Sequence, residues 1–306
     1  MNVTQETVRL TLRALDPGGV YLRSQRRLRN RLYHNKGPNF LLHVDGYDKL
    51  KPYGIAIHGA IDGFSRKLLW LKAGHSNNDP LLIANNYLQF VKTTWRVPRC
   101  IRADGGTENV IIKDLQVALR STHNDPFSGS RSFITGRSPA NQRIERFWGS
   151  LKPAFTVFWK NYFEDMVDAG ILRVGDPIHL ECLRFCFLPI IQEQLDDFSA
   201  TWNSHRIRRQ NQSNVICDKP DVLYYQPEMF GTHDYSREPA CSPAAVDLLV
   251  DQYSEEYYEF GCRDEFLQLI EILFPLTRFD FLLKRSVEEA QSLFVNIISK
   301  LEEVNV

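Results

Sequence analysis

Apolar and polar positions alternate over "NFLLHVDGYD" (39–48), "YGIAIHGAID" (53–62) and "SRKLLWLKAG" (65–74), a period of two that predicts three strands. "DGFSR" joins the last two as a hairpin. Asp79-Pro80 then reads as an N-cap followed by proline at the first helical position, and Ile83, Tyr87, Phe90 and Val91 share one face of the helix behind it. "RCIRADG" (99–105) reads as a short buried strand ending in a carboxylate and two glycines. Ile111, Leu115 and Leu119 mark another helix, and "SFITG" (132–136) a last strand. Three strands followed by alternating helix and strand predict an α/β fold: a mixed five-stranded sheet flanked by helices.

"SPANQRIERFWGSLK" (138–152) repeats the cap-then-proline signal at Ser138-Pro139. At about 100° per residue, Ile144, Trp148, Leu151, Phe155 and Phe158 form its buried stripe. Glu145 falls on the shoulder of that stripe with Asn141 and Lys152, while Arg143 and Ser150 lie on the other side. Pro153 removes the bond to Gly149 and predicts a kink. Residues 179–206 read as a long helix interrupted by Pro189, residues 211–240 as loop-rich, and "SVEEAQSLFVNIISKLEEV" as a late amphipathic helix. At the front, "TQETVRLTLRAL" is a short helix capped by Thr4 and stopped by "DPGG". The expected organisation is a helix plus basic segment over 1–37, in the manner of the end of a helix-turn-helix, a core over 38–210, and a linker with an acidic helical extension over 211–306.

Composition narrows this picture. With 43% hydrophobic and 12% aromatic residues the chain can bury a sizeable core, so disorder throughout is excluded. No apolar run approaches the roughly 18 residues of a membrane span, and no signal-peptide core is present, so a soluble, intracellular, non-secreted protein without membrane contact is expected, nuclear or otherwise cytoplasmic. The six cysteines contain no C-x-x-C pair, which argues against zinc-knuckle and thioredoxin chemistry. Cys182 and Cys186, one helical turn apart, read as two small buried side chains. The formal net charge of zero hides a split: residues 238–306 hold 14 acidic against 5 basic residues, a net of −9, and the remainder carries +9. The sharpest basic run contains Arg23, Arg26, Arg27, Arg29, Arg31 and Lys36 with no acid among them. It is either a solvated face or a surface that lies along a phosphate backbone.

Phosphoryl transfer on nucleic acid needs two divalent metals about 4 Å apart, each taking one or two carboxylates. Asp45 in the first strand, Asp104 at the end of the fourth and Glu145 on the following helix are suitably placed. Adjacent first and fourth strands would set the two aspartates side by side. The bland readings are a capping carboxylate for Asp45 and Asp104 and a surface charge for Glu145. Asp62 is explained by turn chemistry, His43 by a satisfied position in the sheet, Glu108 by a first helical turn, and Trp148 by the core. Lys152 is either a phosphate contact or a solvated lysine.

These segments resemble, as an ordered set, the catalytic core of retroviral and retrotransposon integrases, the DDE group of the ribonuclease H-like superfamily. "HVDGYDKL" is similar to the first-aspartate strand, "GAIDGFSRKLLWL" to the next two strands, "IRADGGTEN" to the second-aspartate motif and "SPANQRIERFWGSLK" to the glutamate helix. "WNSHRIRR" and "DKPDVLYYQP" resemble later family segments, so that the likeness runs over roughly 38–226. More narrowly, residues 31–67 resemble an integrase-core family of mobile-element origin found in animal and fungal genomes. The resemblance implies Asp45, Asp104 and Glu145 as ligands of two Mg2+ or Mn2+ ions. It implies DNA 3′-end cleavage and strand transfer by in-line attack, and a homo-oligomer that joins two DNA ends. Gly105 stands where the family often has Asn, Asn109 where it has an aromatic, and the acidic tail resembles no integrase C-terminal barrel. That tail suits a protein partner, which keeps open a non-catalytic DNA- or protein-binding module; a metal nuclease without strand transfer is the third reading.

Overall fold

The computed structural model describes residues 4–25, 35–136, 141–207, 216–274 and 285–304. The chain divides into two compact units, Met1–His34 and Asn35–Val306. In the first, α1 (Gln5–Leu15) starts at Thr4, whose side chain accepts the Thr7 amide at 3.2 Å. "DPGG" ends this helix and also begins another: Asp16 Oδ1 accepts the Gly19 amide at 2.7 Å, and Pro17 opens α2 (Pro17–Gln25). A first-turn proline gives up only an N–H that the helix leaves unpaired, so one stretch serves as both stop and start. Arg23 belongs to α2, whereas Arg26, Arg27, Arg29 and Arg31 lie outside the described residues.

The second unit is built on β1 (Leu42–Tyr47), β2 (Ala56–Asp62), β3 (Leu68–Gly74), β4 (Ile101–Ala103) and β5 (Phe133–Thr135), in the order β3-β2-β1-β4-β5. The first three strands are antiparallel, and β4 and β5 continue parallel to β1. This is the expected mixed five-stranded sheet. Strand alternation separates two cores. Leu42, Val44 and Ala60 pack with α3 (Pro80–Thr94) and α4 (Val110–Leu119). Tyr47, Ile57 and Ile61 pack with α5 (Gln142–Leu151), α6 (Val157–Asp168) and α7 (Pro177–Ser204).

The two internal prolines have opposite outcomes: the α-helical pattern is interrupted at Pro153, as expected, but not at Pro189. Around Pro153, residues Lys152–Thr156 form a π-turn in which the Val157 amide reaches Lys152 O. The wider turn takes up the hydrogen bond that proline forfeits, and α5 passes into α6. Pro189 does not interrupt α7, contrary to the reading from sequence. Phe187, Leu188, Ile190 and Ile191 around it are all buried, and packing outweighs one lost backbone bond.

After the short α8 (Pro220–Tyr225), the acidic extension joins the same cores. Val246 of α9 (Pro243–Tyr253) packs beside α3, while Phe266 and Ile270 of α10 (Asp264–Leu273) and Phe294, Ile297 and Leu301 of α11 (Val287–Glu303) pack with α6 and α7. Between them the chain crosses the β3 edge at Tyr257, whose ring lies where a Cβ on Gly74 would approach within 2.2 Å. The edge itself is closed by side-chain amides. Gln192 accepts the Ala73 amide at 2.8 Å and donates to Leu71 O, and Asn203 accepts the Leu68 amide at 2.8 Å and donates to Leu68 O. All six cysteines are free, with Cys182 and Cys186 buried in the core. Among the described residues no helix is long and apolar enough to cross a membrane.

Candidate active site

Register assembles the first two acids. β1 and β4 pair Leu42 with Ile101 and His43 with Arg102. The same offset brings Asp104, the residue after β4, opposite Asp45. Neighbouring strands lie about 4.8 Å apart, and the Asp104 charge is among the influences that raise the Asp45 carboxyl.

The third acid arrives on α5, and the seating of that helix is visible atom by atom. Asn141, its buried N-cap residue, donates Nδ2 to Val44 O at 2.8 Å, while its Oδ1 meets His43 Nδ1 at 2.6 Å. Two turns on, Trp148 Nε1 donates to Asp45 Oδ2 at 3.0 Å, and the indole stacks on Tyr47 at 4.8 Å. This close approach requires Gly59, the ladder partner of Asp45, where a Cβ would come within 2.9 Å of the Trp148 ring. Glu145 lies three residues before Trp148 on the same helix, exposed at the border of the site. Lys152, at the end of α5, is exposed as well.

Electrostatics tie the three acids together. Asp45 is pushed up to about 7, first by burial; its Trp148 bond opposes the shift, and Glu145 and Asp104 add to it. Asp104 Oδ1 accepts from the Gly106 amide at 3.2 Å and from Asn109 Nδ2 at 3.1 Å. The same amide group reaches Glu108 Oε1 at 2.6 Å, and the Glu108 carboxyl is raised by burial and by Asp104. Glu108 is the first-turn acid of the short helix Thr107–Asn109, as its position suggested, and it also shares the Asn109 amide with Asp104. His43, lowered to about 4 chiefly by burial, is neutral and fixed by Asn141, as a satisfied sheet histidine should be. Trp148 is a core residue that is also the hydrogen-bond donor to Asp45, a role no periodicity reveals.

The residues suit a hard divalent cation. All donors are carboxylate oxygens, and the leading charges on the half-buried Asp45 are acids, which a cation would offset. They do not form a closed cage: among the described residues no three His, Cys, Asp or Glu side chains are gathered tightly enough to hold an ion.

A family model described as "Integrase core domain" matches residues 32–226. Among curated proteins, none matches the chain.

Proposed function

The chain belongs to the integrase core domain family, whose activity is of the polynucleotidyl transferase type, and from that premise we propose that it cleaves DNA 3′ ends and transfers the strand by in-line attack on phosphodiesters. The observation that carries the reading is the parallel pairing of β1 with β4, whose offset, continued one residue past β4, aligns Asp104 with Asp45, together with α5 fastened to Asp45 through Trp148. Asp45, Asp104 and Glu145 would hold two Mg2+ or Mn2+ ions, which supply Lewis acidity at the scissile phosphate and activate the attacking oxygen. The chain's own part is preorganisation. Trp148 fixes one oxygen of Asp45, Asn109 and the Gly106 amide fix Asp104, and Asn141 sets the height of the helix that brings Glu145. A homo-oligomer joining two DNA ends, nuclear location and a protein partner for the acidic outer faces of α9–α11 belong to the same proposal.

A second reading is a non-catalytic DNA- or protein-binding module, favoured by the open arrangement of the three acids. One assay separates them: labelled DNA duplexes incubated with Mn2+ and either wild type or Asp104→Asn. The proposal expects nicked and joined products from wild type alone, abolished by chelator. Equal products from both proteins would refute the metal assignment. Chelator-insensitive binding with no cutting favours the module, and cutting without joining identifies a nuclease.

A further inference from the structure

The hairpin between β2 and β3 carries a side chain that the proposed chemistry does not use. Arg66 has a φ of 66°, in the left-handed region where glycine is favoured. A non-glycine residue held in that strain points to a use for its side chain. Its backbone is held at both ends: the Arg66 amide donates to Asp62 O at 3.0 Å, and Trp202 Nε1 donates to Arg66 O at 2.8 Å. The Trp202 ring abuts Phe147 of α5, centroids 5.1 Å apart, which couples the hairpin to the glutamate helix. From that helix Arg143 Nε donates to Gly63 O at 2.9 Å, and the exposed Arg146 follows one turn later. Arg66 is pushed down to about 10 by burial first and then by Arg143 and Arg146, with Cys217 the main opposing influence. Three guanidinium groups thus influence one another from a rigid turn and the first turns of α5, the helix that carries Glu145.

We infer that Arg66, Arg143 and Arg146 form a grip for a nucleic-acid phosphate backbone, leading it to the carboxylates. Guanidinium forks match phosphate oxygens in pairs, and contacts of this kind set register rather than read sequence. The identity of the anion rests on the DNA-processing reading; the binding itself does not require catalysis.

The test is anisotropy of a labelled DNA duplex in EDTA across a salt series, with Arg66→Gly, Arg66→Lys, Arg146→Gln and Asp104→Asn. Arg66→Gly and Arg146→Gln should each weaken binding several-fold and lower the slope of log K against log salt by about 1. Glycine suits the backbone at 66, so Arg66→Gly should keep or raise Tm while losing affinity. Arg66→Lys should keep most of the slope, and Asp104→Asn should bind in EDTA at least as tightly as wild type yet fail to cut in a parallel assay with Mn2+, which separates this grip from the catalytic reading. Unchanged affinity and slope in both neutral variants would overturn the inference. So would loss of Tm in step with binding in Arg66→Gly while Arg146→Gln is unaffected, or preference for a polyglutamate peptide over DNA.

Discussion

Two aspartates on the central strands show how one side-chain type serves opposite ends of a sheet. Asp62, opposite Leu42 at the hairpin end, accepts from the Asn39 amide at 2.7 Å, the Phe64 amide at 3.1 Å, and the Ser65 amide and hydroxyl, each at 2.7 Å. Asp45, opposite Gly59 three residues further along β1, has the Trp148 indole and the Gly46 amide. Burial is the largest influence on both carboxyls, raising Asp62 to about 6 and Asp45 to about 7. The further influences differ. Around Asp62 they are donors that oppose the shift; around Asp45 two are acids that reinforce it. A carboxylate saturated with donors holds a turn, whereas one left among other carboxylates is poised for a cation.

The contrast is sharpened first by removing each charge. Asp45→Asn and Asp104→Asn should lower strand transfer on the order of 10²–10³-fold or more with Tm unchanged or raised, since mutual repulsion is relieved. Asp62→Ala should act the other way: its buried donors lose their acceptor, costing roughly 3 kcal/mol, read as a lower denaturation midpoint. A destabilised Asp45→Asn, or an Asp62→Ala as stable as wild type, would erase the distinction. Next, Trp148→Phe keeps the ring in the core but deletes the bond to Asp45. We expect activity or Mn2+ affinity to drop about 10- to 100-fold, with Tm changed little; Mn2+ titration and thermal melts check both. Asn141→Ala should have a smaller catalytic effect mixed with a stability loss of about 1–2 kcal/mol, because it unseats the helix rather than an acid.

The smallest effect is in pH dependence. Asp62, raised to about 6, binds a proton in the folded state that the unfolded chain releases, so its contribution to stability falls as pH rises from about 4 to about 6. His58, lowered to about 3 by burial and accepting from Trp70 Nε1, does the reverse: stability is lost as pH falls from about 6.5 toward 3. The two slopes oppose one another between about pH 4 and 6. His58→Gln should expose the Asp62 slope, giving lower stability at pH 6 than at pH 4.5 relative to wild type, measured by urea unfolding at both values.

The strands and their order of appearance were legible because alternation, turn residues and cap signals are local. Asp62 was readable for the same reason, since the Phe64 and Ser65 donors lie two and three residues away; only the Asn39 amide comes from 23 positions earlier. What was not legible depends on contacts far along the chain. Trp148 looked like any apolar stripe residue until β1 set Asp45 beneath it, 103 positions earlier. Asn141 bonds to Val44 across 97 positions. Pro189 gave a strong local signal to break a helix that tertiary burial overrode. The acidic tail read as amphipathic helices suited to a protein partner, yet their apolar faces complete both cores of the chain itself.

The central claim is that Asp45, Asp104 and Glu145 take divalent cations together. Anomalous diffraction from crystals soaked in Mn2+ tests it most directly. The account predicts manganese peaks between Asp45 and Asp104 and beside Glu145, absent in Asp104→Asn crystals soaked alike. Manganese bound only elsewhere, or none with all three side chains ordered, would contradict it.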